Sequence, residues 1–123
     1  MIGAFAMLVT VMALVVALPQ RWPRRMLVTA YCPCTICCGP DAHGVTASGR
    51  TVTANAGKFV AADPAIPFGT MLVIPGYNNN LPTEVLDRGG AIHGDHLDVF
   101  FPTHDEAKRW GARWLVIGRV ETR

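Results

Sequence analysis

The segment KFVAADPAIPFGTMLVIPG, residues 58–76, contains two short strand patterns that are each closed by turn residues. Residues 58–62 (KFVAA) alternate like a half-buried strand and stop at Asp63-Pro64. Residues 70–74 (TMLVI) read as a second strand that stops at Pro75-Gly76. Short strands bounded in this way are typical of an all-β domain.

The same pattern continues on both sides of this segment. Residues 32–44 are too rich in Cys, Pro and Gly to predict a regular element. The other predicted strands are 26–31 (MLVTAY), 45–49 (VTASG), 83–86 (TEVL), 96–100 (HLDVF) and 113–121 (RWLVIGRVE). Strands at this spacing predict a closed or nearly closed β-barrel.

One helix is predicted between the last two strands. Thr103 and Glu106 have the spacing of a capping box, in which the Thr hydroxyl accepts an orphan N–H and the Glu reaches back to the cap's own N–H. Ala107 and Trp110 fall on one helical face, and Gly111 is a natural stop. We expect this helix to cover the barrel.

The chain begins with an uncharged apolar segment, MIGAFAMLVTVMALVVAL, residues 1–18. It predicts an N-terminal hydrophobic helix that serves as a signal peptide or a membrane anchor, followed by a linker at 19–25 and one domain at 26–123. Arg21, Arg24 and Arg25 follow this segment, which by the positive-inside rule favours a cytoplasmic domain. A start codon assigned too far downstream would hide a basic leader. We nevertheless expect the domain to be exported.

The length and net charge of the chain limit the kinds of binding partner that we expect. The chain of 123 residues has room for one domain, which we expect to be monomeric. Its formal net charge is +2, and it has no basic stripe interleaved with aromatic residues. We therefore predict no nucleic-acid partner.

Six motifs, in order, resemble the 3D (three-aspartate) domain, which includes stationary-phase wall enzymes and the catalytic part of MltA-type lytic transglycosylases. The motifs are VTAY (28–31), GVTASG (44–49), VAADPAIPFG (60–69), LDRGGAIHG (86–94), LDVFFP (97–102) and PTHDEAKRWG (102–111). The resemblance implies a six-stranded double-psi β-barrel without a cofactor. It also implies cleavage of the MurNAc-GlcNAc β-1,4 bond of peptidoglycan with a 1,6-anhydro-muramyl product. An enzyme of this kind would be exported to the periplasm or cell envelope, with membrane contact through residues 1–18 if the leader is not cleaved.

The resemblance assigns the catalytic group to Asp63, Asp87 and Asp98. By the family's pattern, Asp87 before Gly89-Gly90 is the acid and base, and Asp63 and Asp98 tune its pKa and hold sugar hydroxyls. Carboxylates held close together cannot all ionise cheaply, so one of them keeps a proton to donate. From the residues alone, Asp63 and Asp87 also fit plain turn residues. Asp98 alternates with Leu97 and Val99, and an Asp facing into a small barrel needs partners, which favours function.

Further substrate-binding residues are expected around these aspartates. Gly89 and Gly90 would let backbone amides approach the substrate, and Thr46 would add a hydroxyl. Arg88 and His93 replace the family's usual Thr and Lys. Arg88 would either lower the pKa of Asp87 or bind a peptide-stem or muramyl carboxylate, and His93 would bind sugar or assist proton transfer.

The four cysteines all fall in CPCTICC, residues 32–38. In an exported protein we expect two disulfides that link Cys32 and Cys34 to Cys37 and Cys38, since a bond between neighbouring Cys is strained. The alternative is a zinc site with His43 as an added ligand. Three other functions stay open: a non-catalytic glycan-binding barrel, a hydrolytic muramidase, and a zinc-stabilised interaction module.

Overall fold

The structure, a computed structural model, describes residues 21–40 and 42–121. The hydrophobic helix predicted at 1–18 lies outside the described residues. Among those described, no helix has the length and apolar character needed to cross a membrane. The strands of this part of the chain are β1 (Arg24–Tyr31), β2 (Phe59–Ala62), β3 (Met71–Val73), β4 (Pro82–Asp87), β5 (His96–Phe100) and β6 (Arg113–Val120).

The six described strands form a single sheet in the order β1-β5-β2-β4-β3-β6. It closes into a barrel because β1 pairs in parallel with β5 on one side and antiparallel with β6 on the other. The strand β2 pairs in parallel with β4 and antiparallel with β5. The mainly-β, six-stranded prediction is therefore confirmed, whereas the double-psi crossing stays a prediction.

Alternation along the strands separates two apolar layers. The inner layer fills the barrel, and burying each of its aliphatic side chains stabilises the fold by about 1.5–3 kcal/mol. A smaller cluster of Phe59, Leu86 and Phe100 lies on the outer face, with Val52 and Ala54 packed against it. The inner layer includes Met26, Val28, Val60, Ala62, Leu72, Val85, Leu97, Val99 and Ile117.

Two α-helices lie within the described residues, α1 (Thr35–Cys38) and α2 (His104–Trp110). At α2 the hydroxyl of Thr103 accepts a hydrogen bond from the Glu106 N–H, which confirms the predicted cap. The Glu106 carboxylate accepts from that same hydroxyl, at 2.8 Å, rather than from the backbone N–H as predicted. Trp110 is buried and donates its indole N–H to the Val28 carbonyl, which fixes α2 on β1.

Three segments differ from the sequence prediction by more than one residue. The strand predicted at 45–49 is only a single bridge between Val45 and Thr51, because the Thr46 N–H and carbonyl serve a turn that closes through Arg50 and Gly49. The cysteine-rich segment contains α1 instead of being wholly irregular. Finally, β1 begins at Arg24, within the predicted linker, since Arg24 and Arg25 pair with β6.

Candidate functional site

A row of four paired residues crosses the outer face of the barrel. Thr29 on β1 pairs with Asp98 on β5, Asp98 pairs with Ala61 on β2, and Ala61 pairs with Asp87 on β4. Directly paired residues project from the same face of a sheet, so Asp98 and Asp87 stand on either side of the small Ala61 side chain. A shift in register between Val60 and Ala61 skips Leu86 and brings Asp87 into this row.

The row forms part of a cleft of about 360 Å³. Ala61, Asp87 and Asp98 line the cleft from the sheet, and Arg88, Gly89 and Gly90 line it from the loop after β4. We call the opposite side the cleft wall, residues 33–40 and 42–45. The wall residues that line the cleft are Pro33, Cys37, Cys38, Ala42, His43, Gly44 and Val45.

Asp98 is largely removed from water and has few donors. Its Oδ1 accepts a hydrogen bond of 2.9 Å from the Thr29 hydroxyl, which also contacts His96 Nε2 at 2.8 Å. Burial raises the pKa of Asp98 above its ordinary value, and the nearby charge of Asp87 raises it further. The Thr29 hydrogen bond and His96 oppose this rise in pKa without cancelling it. Its predicted direction, opposite to Leu97 and Val99, is confirmed, but this is the outer face and not the barrel interior.

Asp87 is held by three donors. The Tyr31 hydroxyl donates to Oδ2, and the N–H groups of Ala47 and Arg88 donate to Oδ1 at 2.8 and 2.9 Å. Burial, followed by the charge and hydrogen bond of Asp87, raises the pKa of Tyr31, which therefore stays a neutral donor. These contacts fix the orientation of the Asp87 carboxylate at the edge of the cleft.

Asp63 does not line the cleft among the described residues. Its Oδ1 accepts from the Ala65 N–H and its Oδ2 from the Gly94 N–H, both at 2.7 Å. These two hydrogen bonds hold the pKa of Asp63 below its ordinary value. Asp63 thus connects the turn after β2 to the loop before β5, and its contacts are those of a positioning residue.

Arg88 lines the cleft, but its guanidinium binds the protein itself. It donates to the carbonyls of Ile66, Asp87 and Ala62 at 2.8, 3.1 and 3.4 Å. It also stacks on the Phe68 ring, 4.0 Å from the ring centroid. The guanidinium is therefore directed to backbone oxygens and an aromatic ring, and not to the Asp87 carboxylate.

The remaining predicted binding residues separate into two groups. Gly89 and Gly90 line the cleft, and a Cβ on Gly89 would lie 2.8 Å from Ile92 Cγ1. Thr46 and His93 are not among the described cleft residues, contrary to the prediction. The buried Thr46 hydroxyl accepts from the Arg50 N–H, and His93 contacts the Gly90 carbonyl at 2.9 Å and Asp63 at 3.8 Å. Both side chains thus make contacts with neighbouring loop residues.

The predicted disulfides are not formed in this structure. All four cysteines are free, and the Sγ of Cys32 lies 3.0 Å from that of Cys34 and 3.2 Å from that of Cys37. Both distances exceed the S–S bond length of about 2.05 Å. The three sulfurs surround His104 Nδ1, whereas His43, the ligand considered from the sequence, lines the cleft.

Four residues of these sites were missed by the sequence analysis. Thr29 and Tyr31 lie on one face of β1. Alternation shows which residues of a strand share a face but not which strand lies beside it, so these two residues could be found only once the pairing of β1 with β5 was known. Ala47 acts through its backbone N–H, which no residue pattern reports. His104 is brought to the cysteines by the docking of α2 on β1.

Comparison with known proteins adds the family context. Residues 58–118 match the 3D domain. The chain is 39% identical over 76 residues to the cell wall-binding protein YocH of Bacillus subtilis strain 168, covering 60% of this chain and 25% of that protein. It is 38% identical over 91 residues to the putative cell wall shaping protein YabE of the same strain, covering 72% of this chain and 21% of that protein. The chain therefore spans about a quarter or less of the length of these relatives.

Proposed function

Because the chain belongs to the 3D domain family, we propose that it acts on the cell wall, as a lytic transglycosylase that cleaves peptidoglycan glycan strands on a double-psi barrel. The names of the two relatives, which refer to cell wall binding and shaping, support the wall as the target and an extracellular or cell-envelope location. The observation that carries the catalytic part is the pairing of Asp98 and Asp87 with the same small residue, Ala61, at the cleft.

The spacing of the two carboxylates suits a sugar ring. Neighbouring strands lie about 4.8 Å apart, so the backbones of β5 and β4 are separated by about 10 Å across β2. Ala61 adds only a methyl group between them. A pyranose bound over Ala61 would have one carboxylate toward each of its sides.

We assign the proton donor to Asp98, whereas the family pattern favours Asp87. Burial raises the pKa of Asp98, which favours the protonated form that a general acid needs. Asp98 gives its proton to the glycosidic oxygen as the bond from that oxygen to the muramyl C1 breaks. The resulting carboxylate then takes the proton of the C6 hydroxyl of the same muramyl residue, whose oxygen bonds to C1 and closes the 1,6-anhydro ring.

Asp87 supplies negative charge to the same reaction. Its carboxylate, oriented by Tyr31, Ala47 and Arg88, would stabilise the positive charge that develops at C1 in the oxocarbenium-like transition state. Neither step needs a water-activating carboxylate, so two aspartates in the cleft suffice. Asp63 would act indirectly by positioning the loop that contains Gly89 and Gly90.

The test is mass analysis of the soluble products released from purified peptidoglycan by the full chain. We expect muramyl ends that are one water lighter than reducing ends. Asp98→Asn should abolish them, Asp87→Asn should reduce them strongly, and Asp105→Asn, on an exposed residue of α2, should leave them unchanged. Activity retained in Asp98→Asn but lost in Asp87→Asn would return the acid role to Asp87.

A second candidate is a wall-binding module without turnover, which the description of YocH as a cell wall-binding protein favours. Folded protein that sediments with peptidoglycan and releases no products would establish this function and overturn the enzymatic one. Reducing ends in place of anhydro ends would instead identify a hydrolytic muramidase.

A further inference from the structure

We propose that Cys32, Cys34, Cys37 and His104 form a binding site for a thiophilic divalent metal ion, with zinc as the occupant that this ligand set favours. Three sulfurs and one imidazole nitrogen are a common structural zinc set. The four ligand atoms all lie within 4.8 Å of one another. The inference stands on this cluster alone and does not depend on the glycan chemistry.

The distances fit a tetrahedral centre. His104 Nδ1 lies 3.4 Å from the Sγ of Cys37, 3.6 Å from that of Cys34 and 3.7 Å from that of Cys32. Zinc bonds of about 2.3 Å to sulfur and about 2.1 Å to nitrogen place the S–N pairs of a tetrahedron roughly 3.6 Å apart and its S–S pairs roughly 3.8 Å apart. The sulfur pairs at 3.0 and 3.2 Å need only a small outward movement to admit an ion.

Three separate elements supply the ligands. Cys32 follows β1 and is fully buried, while Cys34 and Cys37 bracket the first turn of α1. The Cys38 N–H donates to the Cys34 carbonyl, which holds the two-residue spacing of Cys34 and Cys37 in a helical turn. His104 comes from the first turn of α2, whose start is fixed by its Thr cap. These contacts hold the four ligand atoms close together.

The fourth cysteine provides a matched control. Cys38 Sγ donates to the Cys32 carbonyl at 3.1 Å and does not belong to the cluster of ligand atoms. Cys38 and His43 both line the cleft instead. If the site is as proposed, metal binding is therefore kept when Cys38 or His43 is replaced and lost when Cys34 or His104 is replaced.

The site would connect the cleft wall to the helix on β1. Cys37 is both a proposed ligand and a cleft-lining residue, and it is followed directly by Cys38 at the cleft. An ion bound to Cys37 and His104 would fasten this wall to α2. Four protein ligands leave no open position on a tetrahedral ion, so its role would be structural and not that of a reagent.

The experiment measures metal content and the cobalt spectrum of the full chain purified under reducing conditions. We expect one zinc per chain by elemental mass spectrometry, and tight binding of added Co²⁺ with sulfur-to-cobalt charge transfer and the intense visible bands of a tetrahedral centre. Cys34→Ser and His104→Ala should lose zinc at least tenfold, whereas Cys38→Ser and His43→Ala should keep the wild-type zinc content. Chelation should lower the melting temperature of the wild type and of the two controls.

Other outcomes would overturn the site. Wild-type protein that stays free of zinc and gives no cobalt spectrum while all four thiols react would exclude it. Thiols that do not react, with a mass two hydrogens lower for each bond, would restore the disulfides. Loss of zinc in Cys38→Ser to the same extent as in Cys34→Ser would assign a different ligand set. The zinc content of the wild type and of Cys38→Ser is enough to decide, so the test still works if a ligand variant fails to fold.

Discussion

Asp87 and Asp98 are joined through one residue, because both are register partners of Ala61 from the two strands that flank β2. The parallel pairing with β4 delivers Asp87, and the antiparallel pairing with β5 delivers Asp98. Their surroundings differ: three donors surround Asp87, whereas Asp98 is half-buried with the Thr29 hydroxyl as its side-chain donor. Two carboxylates on one face thus have environments suited to different roles.

The stability of the fold should depend on the protonation of Asp98. Because its pKa is raised in the folded state, its contribution is most favourable below the ordinary carboxyl pKa of about 3.9 and is lost as pH rises through the folded-state pKa. Asp98→Asn should therefore be more stable than the wild type at pH 7, with a smaller difference near pH 3. Urea unfolding at both pH values measures this. A variant that is less stable than the wild type at neutral pH would contradict the burial argument.

Asp63 should show the opposite pH dependence. Its pKa is lowered by the N–H groups of Ala65 and Gly94, so its stabilisation is present above the ordinary pKa and is lost as pH falls through the folded-state pKa. Asp63→Asn should unfold at lower urea concentration than the wild type at pH 7, and the two should converge in acid. Asp105→Asn serves as the exposed control. Equal midpoints at pH 7 would show that Asp63 does not hold the loop.

The glycine pair gives a matched test of packing beside the cleft. A Cβ at Gly89 would meet Ile92 Cγ1 at 2.8 Å, whereas a Cβ at Gly90 would meet no heavy atom within 4 Å. Gly89→Ala should cost about 1–3 kcal/mol of unfolding free energy through overpacking. Gly90→Ala should change it by less than about 0.5 kcal/mol. Denaturant unfolding of both variants decides, and similar losses would contradict the contact with Ile92.

We expect Arg88 to contribute more to the stability of the fold than to the binding of a charged ligand. Its guanidinium donates to three carbonyls and stacks on Phe68, which a Lys ammonium cannot reproduce in that geometry. Arg88→Lys keeps the positive charge and should lower the unfolding free energy by about 1–3 kcal/mol. Arg50→Lys, at an exposed position, is the control. A variant with wild-type stability but weakened binding to peptidoglycan would instead support the carboxylate-binding role expected from the sequence.

Much of the β architecture was accessible from local pattern alone. The bounds of β5 were predicted without error, and β2, β3, β4 and β6 were each found to within one residue at either end. Period-two alternation and the turn residues that follow each strand report burial directly, so they are visible in the sequence. The cap of α2 and the direction of Asp98 were found for the same reason.

The contacts of the cysteine cluster and of Asp63 could not be predicted from local sequence patterns. His43 is the candidate metal ligand from the sequence because it is near the cysteines along the chain. In the fold, α2 instead brings His104 to the cysteines. Asp63 lies in one of the family motifs, as the other two aspartates do, but its two carboxylate oxygens accept from backbone N–H groups. Neither outcome follows from spacing, since both depend on contacts between distant segments.

Local patterns in the sequence were enough to indicate a β-rich chain with the motifs of the 3D domain and three candidate aspartates, because alternation, turns and motif order are properties of neighbouring residues. Three features became visible only in the fold: Ala61 pairs with both Asp87 and Asp98, Asp63 does not line the cleft, and His104 completes the cysteine cluster. The cause lies in the order of the sheet. Apart from the antiparallel neighbours β3 and β4, the strands of this barrel pair with partners distant along the chain, and only the formation of one common core determines which strands pair.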